Sequence, residues 1–196
     1  MHKVAHLLVC IAGSAMLAGC FYVEDDETDP IIPDASMAYP LNTGEVQLCE
    51  EDPASSDDPD CAGARIERST SGGYDFVTLG TDGEGETTKY RLRAMGGSGV
   101  PARTFLIQEN EGDADARAVG LLKSRAAGGW IKTDPQCDKL VPEKFVEFIN
   151  AGWIRSDGDE LVDMTCYIKR EGLDDSRLYA ILDSAGSDSM RIIIEE

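Results

Sequence analysis

Apolar and polar residues alternate over several short segments in the middle of the chain. Tyr90-Arg91-Leu92-Arg93-Ala94 is the clearest case, since apolar and charged side chains take turns as on a strand with one wet face. Clusters of Gly, Pro, Asp and Ser separate such segments, which is typical of strands joined by hairpins. The pattern predicts consecutive antiparallel strands over residues 45–48, 65–68, 74–79, 89–94, 104–108, 118–123 and 130–132.

Residues 116–127 fit two kinds of element. Val119, Leu122 and Ala126 have the spacing of one helical face, and Gly128-Gly129 follows where a helix would end. A strand, however, continues the series of hairpins. We predict a strand here and keep the helix as the alternative.

After Cys137 the apolar spacing becomes helical. Pro142–Asn150 places Phe148 and its apolar neighbours on one face and has a proline in the first turn. A second helix is predicted over residues 173–184 with Asp174 as its N-cap, and strands over 166–168 and 190–194. The predicted fold class is α+β: an antiparallel β-meander of about seven short strands, followed by a small helix–strand–helix–strand C-terminal half.

The first twenty residues have a different character. Lys3 supplies a positive charge, residues 7–18 form a short apolar run, and Leu17-Ala18-Gly19-Cys20 ends it with small residues. A run this short is typical of a secretory signal and not of a membrane-spanning helix. The Leu-Ala-Gly-Cys ending resembles the lipobox of bacterial lipoproteins, and the resemblance covers residues 1–20 only.

The resemblance implies that residues 1–19 are removed as a signal peptide. The sulfur of Cys20 would then carry a diacylglycerol and its amine a fatty acid such as palmitate, and more than one acyl chain makes a stable membrane anchor. Phe21 stands where lipoproteins retained in the inner membrane tend to have Asp. The expected location is therefore the outer membrane, with the protein facing the periplasm.

Removal of the signal peptide changes the available chemistry. His2 and His6 are the only histidines and both lie in the removed segment. We therefore do not expect Ser-His-Asp or Cys-His catalysis, or zinc held by histidine. The mature chain also has no Gly-x-Ser-x-Gly motif, and Glu86 stands where a phosphate-binding glycine loop needs lysine. No catalytic residue and no cofactor are expected.

Four cysteines remain beyond Cys20, an even number that indicates two disulfides in an oxidising compartment. Three connectivities are open. A four-cysteine zinc site is the alternative, but no Cys-x-x-Cys pair supports it, and the acidic clusters do not match a calcium loop, so no metal is expected. Proximity in the sequence favours the pairs Cys49–Cys61 and Cys137–Cys166.

Charge divides the chain into two parts. The net charge is −19, and residues 20–64 contain thirteen Asp or Glu and no Lys or Arg. This acidity excludes nucleic acid as a partner, because phosphates are bound by basic surfaces. Residues 20–36 are predicted to be a lipidated acidic tether, about 20–25 Å long as a random coil. Residues 37–196 are predicted to form a single globular domain.

One short pattern occurs twice. Gly-Trp-Ile-Lys-Thr-Asp at residues 129–134 is echoed by Gly-Trp-Ile-Arg-Ser-Asp at residues 152–157. Trp130, Lys132, Trp153 and Arg155 are therefore a candidate binding surface for a glycan or peptide. The alternative is that the echo marks two similar strand entries, each burying a tryptophan, which is the ordinary fate of a large aromatic side chain.

These observations favour a lipid-anchored, non-catalytic binding or structural module, whose partner could be a basic envelope protein or a glycan. In its acidity, its predicted disulfides and its β-rich character the chain is similar to envelope inhibitors of cationic lysozymes, so inhibition of such an enzyme is one alternative. A carboxylate-dependent glycan-acting enzyme is the other, because glycoside hydrolysis needs only two carboxyl groups.

Overall fold

Most of the structure is strand. The computed structural model describes residues 21–24, 31–50, 61–79, 85–109, 116–126, 128–157 and 164–194. Within these residues there are eleven strands, two α-helices and a short 3₁₀ turn, Asp34–Ser36. The strands are β1 (Phe21–Glu24), β2 (Gly44–Glu50), β3 (Cys61–Arg68), β4 (Tyr74–Thr78), β5 (Thr87–Ala94), β6 (Thr104–Glu109), β7 (Ala116–Ser124), β8 (Trp130–Leu140), β9 (Ile154–Asp157), β10 (Thr165–Ile168) and β11 (Ala185–Ile194), and the helices are α1 (Pro142–Asn150) and α2 (Asp175–Ser184).

Eight of these strands form a closed ring. From β2 to β8, each strand pairs antiparallel with the next one along the chain. β11 then lies between β8 and β2 and pairs antiparallel with both. Because every strand of this set has a neighbour on each side, the sheet closes on itself and leaves none of the eight as an edge strand.

A smaller sheet branches from the ring at β7. Residues 116–118 of β7 pair antiparallel with β1, whereas residues 119–123 pair with β6. On its other side β1 pairs parallel with β10, with Phe21 opposite Cys166, and β10 pairs antiparallel with β9. The order in this side sheet is therefore β7, β1, β10, β9, and the parallel pair makes the sheet as a whole mixed.

The inside of the ring is a packed apolar core. All eight ring strands contribute to one buried cluster, and the inner face is the only face that they share. Since side chains alternate along a strand, the outer face of the ring contributes to a different core. The inner cluster consists of Leu41, Val46, Leu48, Ala64, Ile66, Tyr74, Phe76, Tyr90, Leu92, Ile107, Leu122, Trp130 and Ile192.

The second core lies between the outside of the ring and the side sheet with its two helices. Leu121 of β7 packs in this core, while its neighbour Leu122 packs inside the ring. Phe148 of α1 and the apolar face of α2 also bury themselves here. The Cys137–Cys166 disulfide joins β8 to β10 within the same core, and both of its cysteines are buried.

Local signals explain the helix ends. Pro142 is the first residue of α1, where a proline loses no helical hydrogen bond. The Asp174 carboxylate caps α2 by accepting a hydrogen bond from the backbone N–H of Arg177 at 2.9 Å. Neither helix in the described part of the chain has the length and apolar character needed to cross a bilayer.

The α+β class is confirmed, as are the strand at residues 116–124 and both disulfides, Cys49–Cys61 and Cys137–Cys166. The seven predicted strands of the meander correspond to β2 to β8, but the sheet is larger than the meander, because β1, β9, β10 and β11 extend it to eleven strands. The C-terminal half also contains one strand more than predicted, since both β9 and β10 lie between the helices.

Part of the predicted tether of residues 20–36 lies within the described residues. Phe21 and Val23 are 1% and 0% exposed, and β1 is hydrogen-bonded to strands on both of its sides. Ile32, in the second part of the same segment, is also buried. The acidic residues 25–29 and the whole of residues 1–20, including the predicted signal peptide, lie outside the described residues.

Candidate functional site

The most unusual side chain in the structure is Lys132, a charged residue that is 2% exposed. It lies on β8 two residues after Trp130, so both side chains point into the ring. Opposite it on β7 stands Leu122, another inner-core residue. A lysine buried this far is rare unless it has a partner.

The partner is Asp134, two residues further along the same face of β8. Both oxygens of its carboxylate lie 2.5 Å from Nζ of Lys132. The ring of Tyr90 adds a cation–π contact, with its centroid 5.3 Å from the ammonium. The Asp134 side chain itself is 31% exposed, so the pair bridges the buried interior and the solvent at one end of the ring.

Two opposing effects set the pKa of Lys132. Burial by itself lowers the pKa, because it penalises the charged ammonium. The nearby carboxylate of Asp134, with smaller contributions from Tyr90 and Glu109, more than offsets burial and raises the pKa above its usual value. The ion pair therefore favours the charged form of Lys132 at neutral pH, and the charged form is neither an amine nucleophile nor a general base.

Gly120 makes room for this ion pair. A Cβ at this position would lie closer to the carbonyl oxygen of Thr133 than real Cβ atoms approach, and 3.3 Å from Oδ1 of Asp134. A side chain here would therefore push β7 away from the part of β8 that carries the pair.

A small cavity opens beside the pair, at the end of the ring near β1. Its lining includes Phe21, Tyr90, Glu109, Lys132 and Asp134. The space that the centre of a water molecule can occupy is about 20 Å³, which is enough for one water and too little for a sugar ring. Glu109 and Asp134 are two carboxylates at one cavity, but its size and the Lys132 contact do not favour glycoside hydrolysis here.

The first half of the candidate aromatic and basic surface is internal. Trp130 is 5% exposed and packs edge-on against Phe105, with ring centroids 5.6 Å apart, while the guanidinium of Arg103 lies 5.1 Å from its ring. Lys132, predicted as its basic companion, is the buried cation described above. Neither residue offers a surface that a glycan could stack on.

The second half lies elsewhere in the fold. Trp153 is partly buried and stacks on Phe148 of α1 with ring centroids 5.6 Å apart. Arg155 of β9 lies 4.0 Å above the Tyr167 ring and pairs with Asp157 at 2.9 Å. Strands β8 and β9 are separated in the sheet by β7, β1 and β10. The structure therefore does not bring the two tryptophan motifs together into one surface.

The Lys132–Asp134 pair was not predicted from the sequence, although a signal for it was present. Residues two apart on a strand share a face, so Trp130, Lys132 and Asp134 had to point the same way. Among the described residues there is no group of three or more His, Cys, Asp or Glu side chains placed to hold a metal ion.

Fold and site together define a closed antiparallel ring with a buried ion pair at one end and a helix-covered side sheet. Comparison with known proteins adds no relative, because no protein-family profile, no curated protein and no solved structure matches the chain.

Proposed function

We propose that this protein is a lipid-anchored lipoprotein of the bacterial envelope, attached to the outer membrane through Cys20 and facing the periplasm. The observation that carries the proposal is the Leu17-Ala18-Gly19-Cys20 sequence at the end of a short apolar run. Two acyl chains on one residue bury enough CH₂ groups to hold a protein on a bilayer.

The disulfides support the same compartment. Cys49–Cys61 links β2 to β3, and Cys137–Cys166 links β8 to β10. Such bonds persist in oxidising compartments such as the periplasm and are rare in the cytosol. With four cysteines in disulfides and Cys10 inside the predicted signal peptide, Cys20 is the remaining cysteine of the mature chain.

The packed interior supports a binding or structural role without catalysis. The inner core fills the ring, and the cavity beside Lys132 has room for one water. A partner of any size therefore meets the outer surface of the protein. With 37 acidic residues against 18 basic ones, that surface favours a basic envelope protein as the partner.

Lipid attachment is tested by expressing the full chain in a bacterial host and separating membranes from soluble protein. Cys20→Ala should move the protein to the soluble fraction or leave it unprocessed, while Cys10→Ala, in the same leader, should leave the membrane fraction unchanged. Mass spectrometry should find a diacylglyceryl group on an N-terminal Cys20. An intact Met1 without lipid on membrane-purified protein would overturn the proposal.

Inhibition of a cationic envelope-targeting enzyme such as lysozyme is a second candidate, favoured by the net charge of −19. Attraction between exposed charges is screened within about 10 Å at 0.1 M salt, so such inhibition should weaken as salt increases. The test is the rate of cell-wall lysis by lysozyme with and without the purified protein at low and high salt. An unchanged rate at low salt would remove this candidate.

A further inference from the structure

The strand β1 begins at the residue that follows the proposed lipid attachment site. Phe21 is 1% exposed and pairs with Cys166 of β10, and Tyr22 pairs with both Tyr167 and Ala118. Val23 is completely buried in the second core. β1 is therefore an internal strand of the side sheet, held by hydrogen bonds along both edges.

Cys20 is bonded directly to the first residue of this strand. Consecutive Cα atoms are about 3.8 Å apart, so Cys20 cannot lie further than that from the Cα of Phe21. A free tether of residues 20–36 would instead have allowed the folded part to stand on the order of 20–25 Å away from the headgroups.

The surroundings of Phe21 indicate where the chain enters. Antiparallel pairing of Tyr22 with Ala118 directs the chain before Phe21 towards residues 119–124 of β7. Residues 121–123 of β7 pair with both β6 and β8, whereas residues 119 and 120 pair with β6. Phe21 lines the cavity that contains the Lys132–Asp134 pair, which places the entry point beside this cavity.

We infer that the lipid anchor joins the folded protein directly at the cavity end of the ring, and that a lipid bilayer surface is the partner which this end meets. The inference rests on the proposed function, because it requires the lipid on Cys20. Under this inference no spacer separates the lipid from the folded protein, so the bilayer holds the protein close and in a restricted orientation. The acidic residues 25–29 then lie beyond β1 in the chain and do not separate it from the membrane.

The two tryptophans can report how close the protein lies to the bilayer. Trp130 lies opposite Ser124, which is five residues along β7 from the residue level with Phe21. Five residues of strand span about 17 Å, so Trp130 lies about that far from Phe21 along the sheet. Trp153 precedes β9, two strands away from β1, so it lies about 14 Å from Phe21 in the sheet. Both tryptophans are therefore within about 20 Å of the attachment point.

The experiment compares two insertions of the same twelve-residue Gly-Ser linker in the lipidated full-length protein. One insertion lies between Cys20 and Phe21, and the other between Glu24 and Asp25. Each linker adds a mean reach of about 17–21 Å. The readout is energy transfer from tryptophan to dansyl-labelled headgroups in phosphatidylcholine vesicles. Near-UV circular dichroism, intact disulfides and the mass of lipidated Cys20 check each protein.

We expect the insertion before Phe21 to lower the transfer several-fold and the insertion after Glu24 to leave it unchanged. Equal losses from both insertions would show that residues 21–24 belong to a tether, and no loss from either would show that the anchor does not set the distance. Each of these results overturns the inference while lipidated Cys20 keeps the proposed function. Absence of lipid on Cys20 overturns both.

Discussion

Removing the charge of Asp134 should destabilise the protein strongly, because Lys132 would be left as an unpaired buried cation. The perturbation is Asp134→Asn, which keeps the size of the side chain and removes the carboxylate. Lys132 is 2% exposed, and both carboxylate oxygens lie 2.5 Å from its ammonium. Bulk water does not reach Lys132, and the cavity beside it has room for one water, which does not replace a carboxylate.

Two considerations give the same magnitude for the loss of stability in Asp134→Asn. A pair of unit charges 4 Å apart interacts by about 4 kcal/mol at an effective dielectric constant of 20. Breaking a buried ion pair by removing one partner usually costs about 3–5 kcal/mol. We therefore expect Asp134→Asn to lower the free energy of unfolding by about 3–5 kcal/mol. The assay is urea unfolding at pH 7, followed by tryptophan fluorescence and fitted with linear extrapolation.

Two further variants separate the buried charge from the loss of a contact. Lys132→Met removes the buried cation and keeps an apolar chain of similar length, so it should stay within about 1 kcal/mol of the wild type. Asp183→Asn makes the same substitution in an ion pair with Lys123 whose side chains are 30% and 45% exposed. Such a pair is hydrated and screened by salt, so its loss should cost at most about 1 kcal/mol.

The wild type and Asp134→Asn should differ most clearly in how their free energy of unfolding depends on pH. In the wild type the folded pKa of Lys132 is raised, so its stabilisation is complete below the unfolded value of about 10.4 and is lost only as pH rises above it. In Asp134→Asn the largest contribution that offsets burial is lost, so we expect the folded pKa of Lys132 to fall below the unfolded one. The unfolded chain then binds more protons, so the variant should gain stability between pH 7 and 10. An Asp134→Asn protein whose free energy of unfolding lies within about 0.5 kcal/mol of the wild type and does not change between pH 7 and 10 would contradict this account of the buried pair.

Three other changes test the strands and helices by the same urea assay. Gly120→Ala should lower the free energy of unfolding by about 1–3 kcal/mol, because its Cβ meets the backbone of β8. Gly96→Ala, with no atom within 4 Å of the new Cβ, should lower it by less than about 1 kcal/mol. Equal losses of stability would contradict this. Asp174→Ala removes the N-cap of α2 and should cost about 0.5–2 kcal/mol, and an unchanged midpoint would count against the cap. Val23→Asp should cost about 3 kcal/mol or more, since β1 is internal, and a tolerated aspartate would show that this strand is dispensable.

Elements that depend on neighbouring residues could be predicted from the sequence. Helix α1 begins and ends where its proline and its apolar spacing place it, at Pro142–Asn150. The cap of α2 and the strands β2 to β8 follow equally local signals: a short polar side chain before a helix, alternation along a strand and turn residues between strands. The two disulfides join cysteines that are 12 and 29 residues apart, so proximity in the sequence was sufficient.

Closure of the ring could not be predicted in this way. The meander from β2 to β8 leaves both of its end strands with a free edge, and no local pattern tells which strand will cover them. β11 fills this position by pairing with β2, more than 130 residues earlier in the chain. The burial of Lys132 could not be predicted for the same reason, because a lysine on an amphipathic strand is expected to face solvent until the sheet closes around it.

The strand β1 shows how the missing long-range information changes a functional conclusion. Phe21-Tyr22-Val23-Glu24 is too short to bury much surface alone, and the acidic run after it favours a solvated segment. Its burial comes from β7 and β10, which lie about 100 and 140 residues later. A segment with two paired edges and two fully buried side chains cannot also be a flexible spacer. If Cys20 carries the lipid, the folding of β1 into the sheet places the lipidated residue next to the ring. The bilayer then holds this acidic protein through a covalent bond adjacent to its core.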